Sequence, residues 1–112
     1  MKTLAQLQEL LQQNIAEKKQ EMLRLQREVR IDEAVHCRIA LNVLEIFHTV
    51  AGVAQKQGSE EAAAAFFQKK LADIPAEWQA SQQKAKAAGD SSAVFVQQLK
   101  LDAAALVKQL LD

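Results

Sequence analysis

Apolar residues recur along this chain at the spacing of helical faces. Leu4, Leu7, Leu11 and Ile15 lie on one side of a helix, and Met22, Leu25 and Val29 resume that side after Lys18 and Lys19 interrupt it. Farther along, Phe95, Val96, Leu99, Ala103, Leu106, Val107 and Leu110 form a second clean face. Ala63, Phe66, Phe67 and Leu71 form a third. No stretch alternates with period two, so the pattern excludes half-buried strands.

Breakers divide these faces. Asp32 follows the first apolar region and predicts a helix cap. Gly58-Ser59 and Gly89-Asp90 each pair a residue suited to a left-handed stop with one suited to a helix start. Ile74-Pro75 predicts another break, because proline has no amide donor and restricts its predecessor. Helices are expected at about 3–28, 33–57, 60–73, 75–88 and 91–111. Asn14 and Glu17 have the spacing of a capping box, so the first region reads as one bent helix or as two.

The second segment is the most apolar. Arg38, Asn42, Glu45, Thr49 and Lys56 occupy a narrow stripe, and most other positions are aliphatic or aromatic. A helix with so little polar circumference predicts cover on several sides. The fold expected is all-α, a compact four- to five-helix bundle with a central, mostly buried helix at about 33–57. Residues 1–112 form a single helical domain, within which residues 1–28 are a helix that either completes the bundle or projects from it. Trp78 anchors a thin covering helix near the fourth position.

Phe47, Val50, Ala51, Gly58, Ala63, Phe67 and Pro75 resemble one tetratricopeptide repeat in their spacing. The resemblance implies two antiparallel helices packed through small residues and closed by proline. Ala54 departs from it where a large residue is usual, and Lys70 where a small one is usual. Stable arrays need about three such units, so the stretch reads as an antiparallel hairpin obeying the same packing rules.

Composition narrows the function. Fourteen basic residues balance fourteen acidic ones, which gives no global attraction to nucleic acid or anionic lipid. The basic run at 18–30 is interleaved with Glu17, Glu21 and Glu28, so a weak nucleic-acid binder ranks behind other readings. The single cysteine, Cys37, suits a reducing compartment, and no secretory leader is evident, so a cytoplasmic location is expected. The apolar stretch from Ile39 to Ala54 contains Asn42, Glu45 and His48, and it reads as too short and too polar to span a bilayer.

No motif carries catalysis. Three glycines leave no room for a phosphate-cradling loop, and Cys37 points away from its neighbour His36 on a helix. An enzyme is therefore not expected, nor is a cofactor. Glu45 and His48 form a Glu-x-x-His pair with metal-ligand spacing, and Glu33 and His36 repeat it. The two pairs lie roughly 18 Å apart on one helix and are rotated by about 120°, so they cannot share an ion. Glu45 and His48 remain the candidate metal ligands. The leading expectation is a protein–protein interaction module of adapter, chaperone-like or regulatory type. Its partner would be another protein or a second copy, docked on Leu4, Leu7, Leu11, Ile15 and Met22.

Overall fold

In the computed structural model, which describes residues 1–112, four helices follow one another without a strand: α1 (Leu4–Arg27), α2 (Ile31–Ala54), α3 (Glu60–Ala87) and α4 (Ser91–Leu111). Three of the four starts are capped by a side chain that takes a free backbone donor. Thr3 accepts from the Gln6 amide while the Gln6 side chain accepts from the Thr3 amide, a reciprocal capping box. Ser59 accepts from Ala62 and Asp90 from Ala93, each at 3.1 Å. In α2 the expected cap at Asp32 is displaced. Arg30 stands at the cap position with no side-chain bond, and Asp32 and Glu33 fill the first turn, where negative charge suits the helix dipole. The alternative start at Asn14 does not form, because Asn14 donates to the Leu10 carbonyl at 2.8 Å inside an unbroken α1.

Pro75 lies inside α3 and does not end a helix. An interior proline removes one hydrogen bond and crowds the preceding turn, at a cost of about 3 kcal/mol. Burial on both sides offsets it: Phe67 and Leu71 before the proline, and Ile74 and Trp78 beside it, all pack on the same core. The two helices expected at 60–73 and 75–88 are therefore one. The same continuity removes the closing proline that the repeat-like spacing implied.

The α1–α2 and α3–α4 connections share one geometry. Arg30 donates to the Leu25 carbonyl and Asp90 to the Ala85 carbonyl, each at 2.9 Å. Val29 donates to Gln26 and Gly89 to Lys86, each at 3.1 Å. This is the paired bonding of a left-handed helix stop. Gly89 takes φ 71° there, and Val29 takes φ 57°. The matched turns put the two hairpins in a common register, and burial follows it. Leu7 matches Phe67, Val43 matches Ala103, Leu44 matches Ala104, Phe47 matches Val107 and Ala51 matches Leu111, all of them buried. α2 and α4 pack on each other and each meets all of the other helices, while α1 and α3 touch each other little. The molecule is thus two αα-hairpins in a pseudo-two-fold arrangement.

The main core gathers at the end where the chain termini meet. Phe47 of α2 packs edge-on against Phe67 (centroids 6.3 Å apart) and Trp78 (6.4 Å), both on α3. The Lys2 amide donates to the Leu111 carbonyl at 2.8 Å and ties the start of α1 to the end of α4. A smaller cluster of Leu25, Ala34 and Cys37, with Met22 against it, closes the opposite end of the first hairpin. α1 equals α2 in length and is shorter than α3. Leu7, Leu11 and Leu25 of its apolar seam are buried and Leu4, Ile15 and Met22 pack half-buried on these clusters, so α1 packs along the bundle.

Two substitutions test this account. Val29 is largely exposed, so Val29→Gly removes left-handed strain without losing packing. It is expected to raise stability by about 1 kcal/mol in urea titration, whereas Gly89→Val lowers it. Phe47→Ala is expected to lower stability by about 3–5 kcal/mol by the same measurement. An unchanged midpoint would deny Phe47 its place at the junction.

Candidate functional site

The five apolar residues expected to dock a partner are engaged within the chain. Leu7 and Leu11 are fully buried in the main core, and Leu4 and Ile15 pack against it half-buried. Met22 packs on the smaller cluster. No partner reaches Leu7 or Leu11 while the bundle is closed. On α1, Leu23 alone among the large apolar residues of the helix is exposed.

Glu45 and His48 line an open groove of about 380 Å³ between α1 and α2, together with Gln12, Ile15, Lys19 and Thr49. The Lys19 ammonium shares this groove and opposes a cation there. No group of three or more His, Cys, Asp or Glu side chains converges anywhere in the chain. The second Glu-x-x-His pair is diverted, since Glu33 pairs with Arg30 and His36 packs its ring against Phe95 at 4.9 Å. The His48 carbonyl accepts from Gln8, which in turn accepts from Gln55 at 2.8 Å. Gly52 makes room for this polar clasp: a Cβ there would lie 3.2 Å from the Gln8 amide.

The basic run is neutralised locally. Lys18 pairs with Glu21, Arg24 with Glu28, and Arg30 with Glu28 and Glu33. The hydrogen bond from Arg24, followed by that from Arg30, holds the Glu28 carboxyl below its ordinary range. Lys19 and Arg27 are the basic residues of this run that remain without an ion pair, too few for a phosphate-tracking stripe. A second cleft, of about 430 Å³, opens between the starts of α1 and α3, with Met1, Lys2, Ser59, Glu60 and Gln68 at its rim. Lys2 and Glu60 give it charges of both signs.

Cys37 is buried, with its thiol 3.4 Å from the Lys18 carbonyl. Burial, then the nearby Glu21 carboxylate, pushes the thiol above its ordinary value of 9.0. A raised pKa opposes thiolate formation, so this is not an activated nucleophile.

The outward face of α2 is the least expected feature. Its polar stripe of Arg38, Asn42, Glu45, Thr49 and Lys56 faces solvent. Beside the stripe, Val35 (50% exposed), Ile46 (39%) and Val53 (43%) are open as well, and Ile39 is half-buried. The expectation that neighbouring helices cover the apolar circumference therefore fails along this strip. Phe95 of α4 is also 48% exposed, near the start of α2. Counted from Ile31, α2 is long and apolar enough to cross a membrane by length and composition alone, which corrects the shorter span counted from Ile39. Eight of its residues are nevertheless buried against the rest of the bundle.

The signal for this strip was present in the sequence. Val35, Ile39, Asn42, Ile46, Thr49 and Val53 alternate steps of four and three, the spacing of a helix–helix seam. No family model, curated protein or solved structure matches the chain.

Cys37 supplies a check on the geometry. A folded-state pKa above the unfolded value leaves stability intact below about pH 9 and removes it as pH rises further. With a thiolate-selective disulfide reagent at pH 8, Cys37 is expected to react at least about tenfold more slowly in the native protein than in denaturant. Equal rates would place the thiol at the surface.

Proposed function

We propose that this chain is a protein–protein interaction module whose contact surface is the outward face of α2. The observation that supports this reading is the row of exposed β-branched residues Val35, Ile46 and Val53. Isolated exposed apolar residues are ordinary on a protein surface. A row at helix–helix spacing, on the helix that also builds the core, is the kind of patch that marks a binding face. The expected contact through α1 moves to α2, because the α1 seam is already occupied.

The reading is non-enzymatic, and it places the protein in the cytoplasm with a protein as its ligand. It needs no cofactor. The groove at Glu45 and His48 offers two ligands beside a lysine, a poor donor set for a metal.

Affinity capture from cell extract compares the native protein with Ile46→Glu. Ile46 is 39% exposed, so the variant is expected to keep its helical circular dichroism and its unfolding midpoint within about 0.5 kcal/mol. It is expected to lose its bound proteins. Identical capture by both forms would remove α2 as the interface.

A further inference from the structure

We infer that the occupant of the α2 face is a second copy of this chain, packed antiparallel, an inference that rests on the interaction reading above. The seam carries β-branched Ile39, Ile46 and Val53 at every seventh residue, with Val35, Asn42 and Thr49 between them. Two such faces placed antiparallel over residues 35–46 set Val35 against Ile46 of the second copy and Ile39 against Asn42 of the second copy, each layer repeated by the two-fold axis, with Val53 beyond the paired layers. That register places Arg38 beside Glu45 of the second copy, twice, at the flanking position of an antiparallel pair. Both side chains are exposed, and neither makes an ion pair within its own chain. Their opposite charges satisfy each other only in this orientation, since a parallel arrangement would set each against an aliphatic side chain. Asn42 near the centre meets Ile39 of the second copy, so the flanking charges and not Asn42 set the register.

The isologous contact uses the same patch on both copies, as two-fold dimers do.

Sedimentation equilibrium of the full chain tests the proposal, with circular dichroism confirming the fold of each variant. The native protein is expected to sediment as a dimer at micromolar concentration. Arg38→Glu and Glu45→Arg are each expected to weaken dimerisation at least about tenfold. The double variant R38E/E45R is expected to restore it, because the pair is reversed as a whole. A native monomer at 100 times that concentration overturns the proposal, as does a dimer indifferent to both single reversals or a double variant that stays monomeric. A native monomer whose captured proteins are still lost in Ile46→Glu would leave the interaction reading standing while removing self-association.

Discussion

Phe47 joins the two hairpins. Its ring leaves α2 and meets Phe67 and Trp78 of α3 edge-on, at the level where α1 and α4 also close in. Neither hairpin has a core of its own at this end, and each offers one apolar side that water would otherwise wet. The short connection between α2 and α3 keeps the hairpins close in the chain but does not orient them. The edge-to-face contacts of the ring add a geometric preference to the packing of α2 along α4. Only 18 of 112 residues are buried, and Phe47 lies among the 12 that form the main core.

The two hairpins share a geometry and differ in chemistry. At the turn end of the first, Met22, Leu25, Ala34 and Cys37 exclude water. The matching region of the second is polar: Gln82 donates to the Val94 carbonyl at 3.2 Å and to Gln98 at 3.0 Å, and Gln98 donates to Asp102 at 2.9 Å. Gln97 keeps a buried side-chain oxygen without a partner. Each hydrogen bond contributes about 1 kcal/mol net, and a buried unpaired acceptor subtracts a similar amount. The second hairpin is therefore the looser at its turn end. The turns reverse the order, since Gly89 accepts the left-handed backbone easily and Val29 does not.

Much of this was legible in the chain. Gly58-Ser59 and Gly89-Asp90 marked their boundaries correctly because each pairs a left-handed stop with a side-chain acceptor. Phe47, Ala51, Ala63 and Phe67 were read as packing positions and all four are buried, but the chain's hairpins pair α1 with α2 and α3 with α4. Pro75 misled because local rules price a lost hydrogen bond and say nothing of Ile74 and Trp78 packing on either side of it. The capping box at Thr3 and Gln6 was overlooked in favour of the same pattern at Asn14, which serves the helix interior. The correspondence of the hairpins was hidden because few matched positions keep the same residue, Leu11 with Leu71 and Leu41 with Leu101 among them. What Leu7 with Phe67, Val43 with Ala103, Leu44 with Ala104, Phe47 with Val107 and Ala51 with Leu111 preserve is burial. As for the site, Glu45 and His48 were read as candidate metal ligands and lie in an open groove, while the apolar part of the α2 strip was read as core.

That last misreading has a physical origin. Periodicity reports that a face is apolar, and it does not report whose atoms cover it. On α2 the inward face of Leu44, Phe47, Ala51 and Ala54 is covered by this chain. The outward row of Val35, Ile46 and Val53 has the same hydrophobic character and is open. Arg38, Asn42, Glu45 and Thr49 lie along this outer row. Charges on a solvent-facing helix stripe are ordinary; on the proposed reading, covering the outer seam would also let its flanking charges set partner and direction. On the proposed reading one helix serves two contacts, the inner fixed by close packing and the outer by a sparse apolar row with opposite charges beside it.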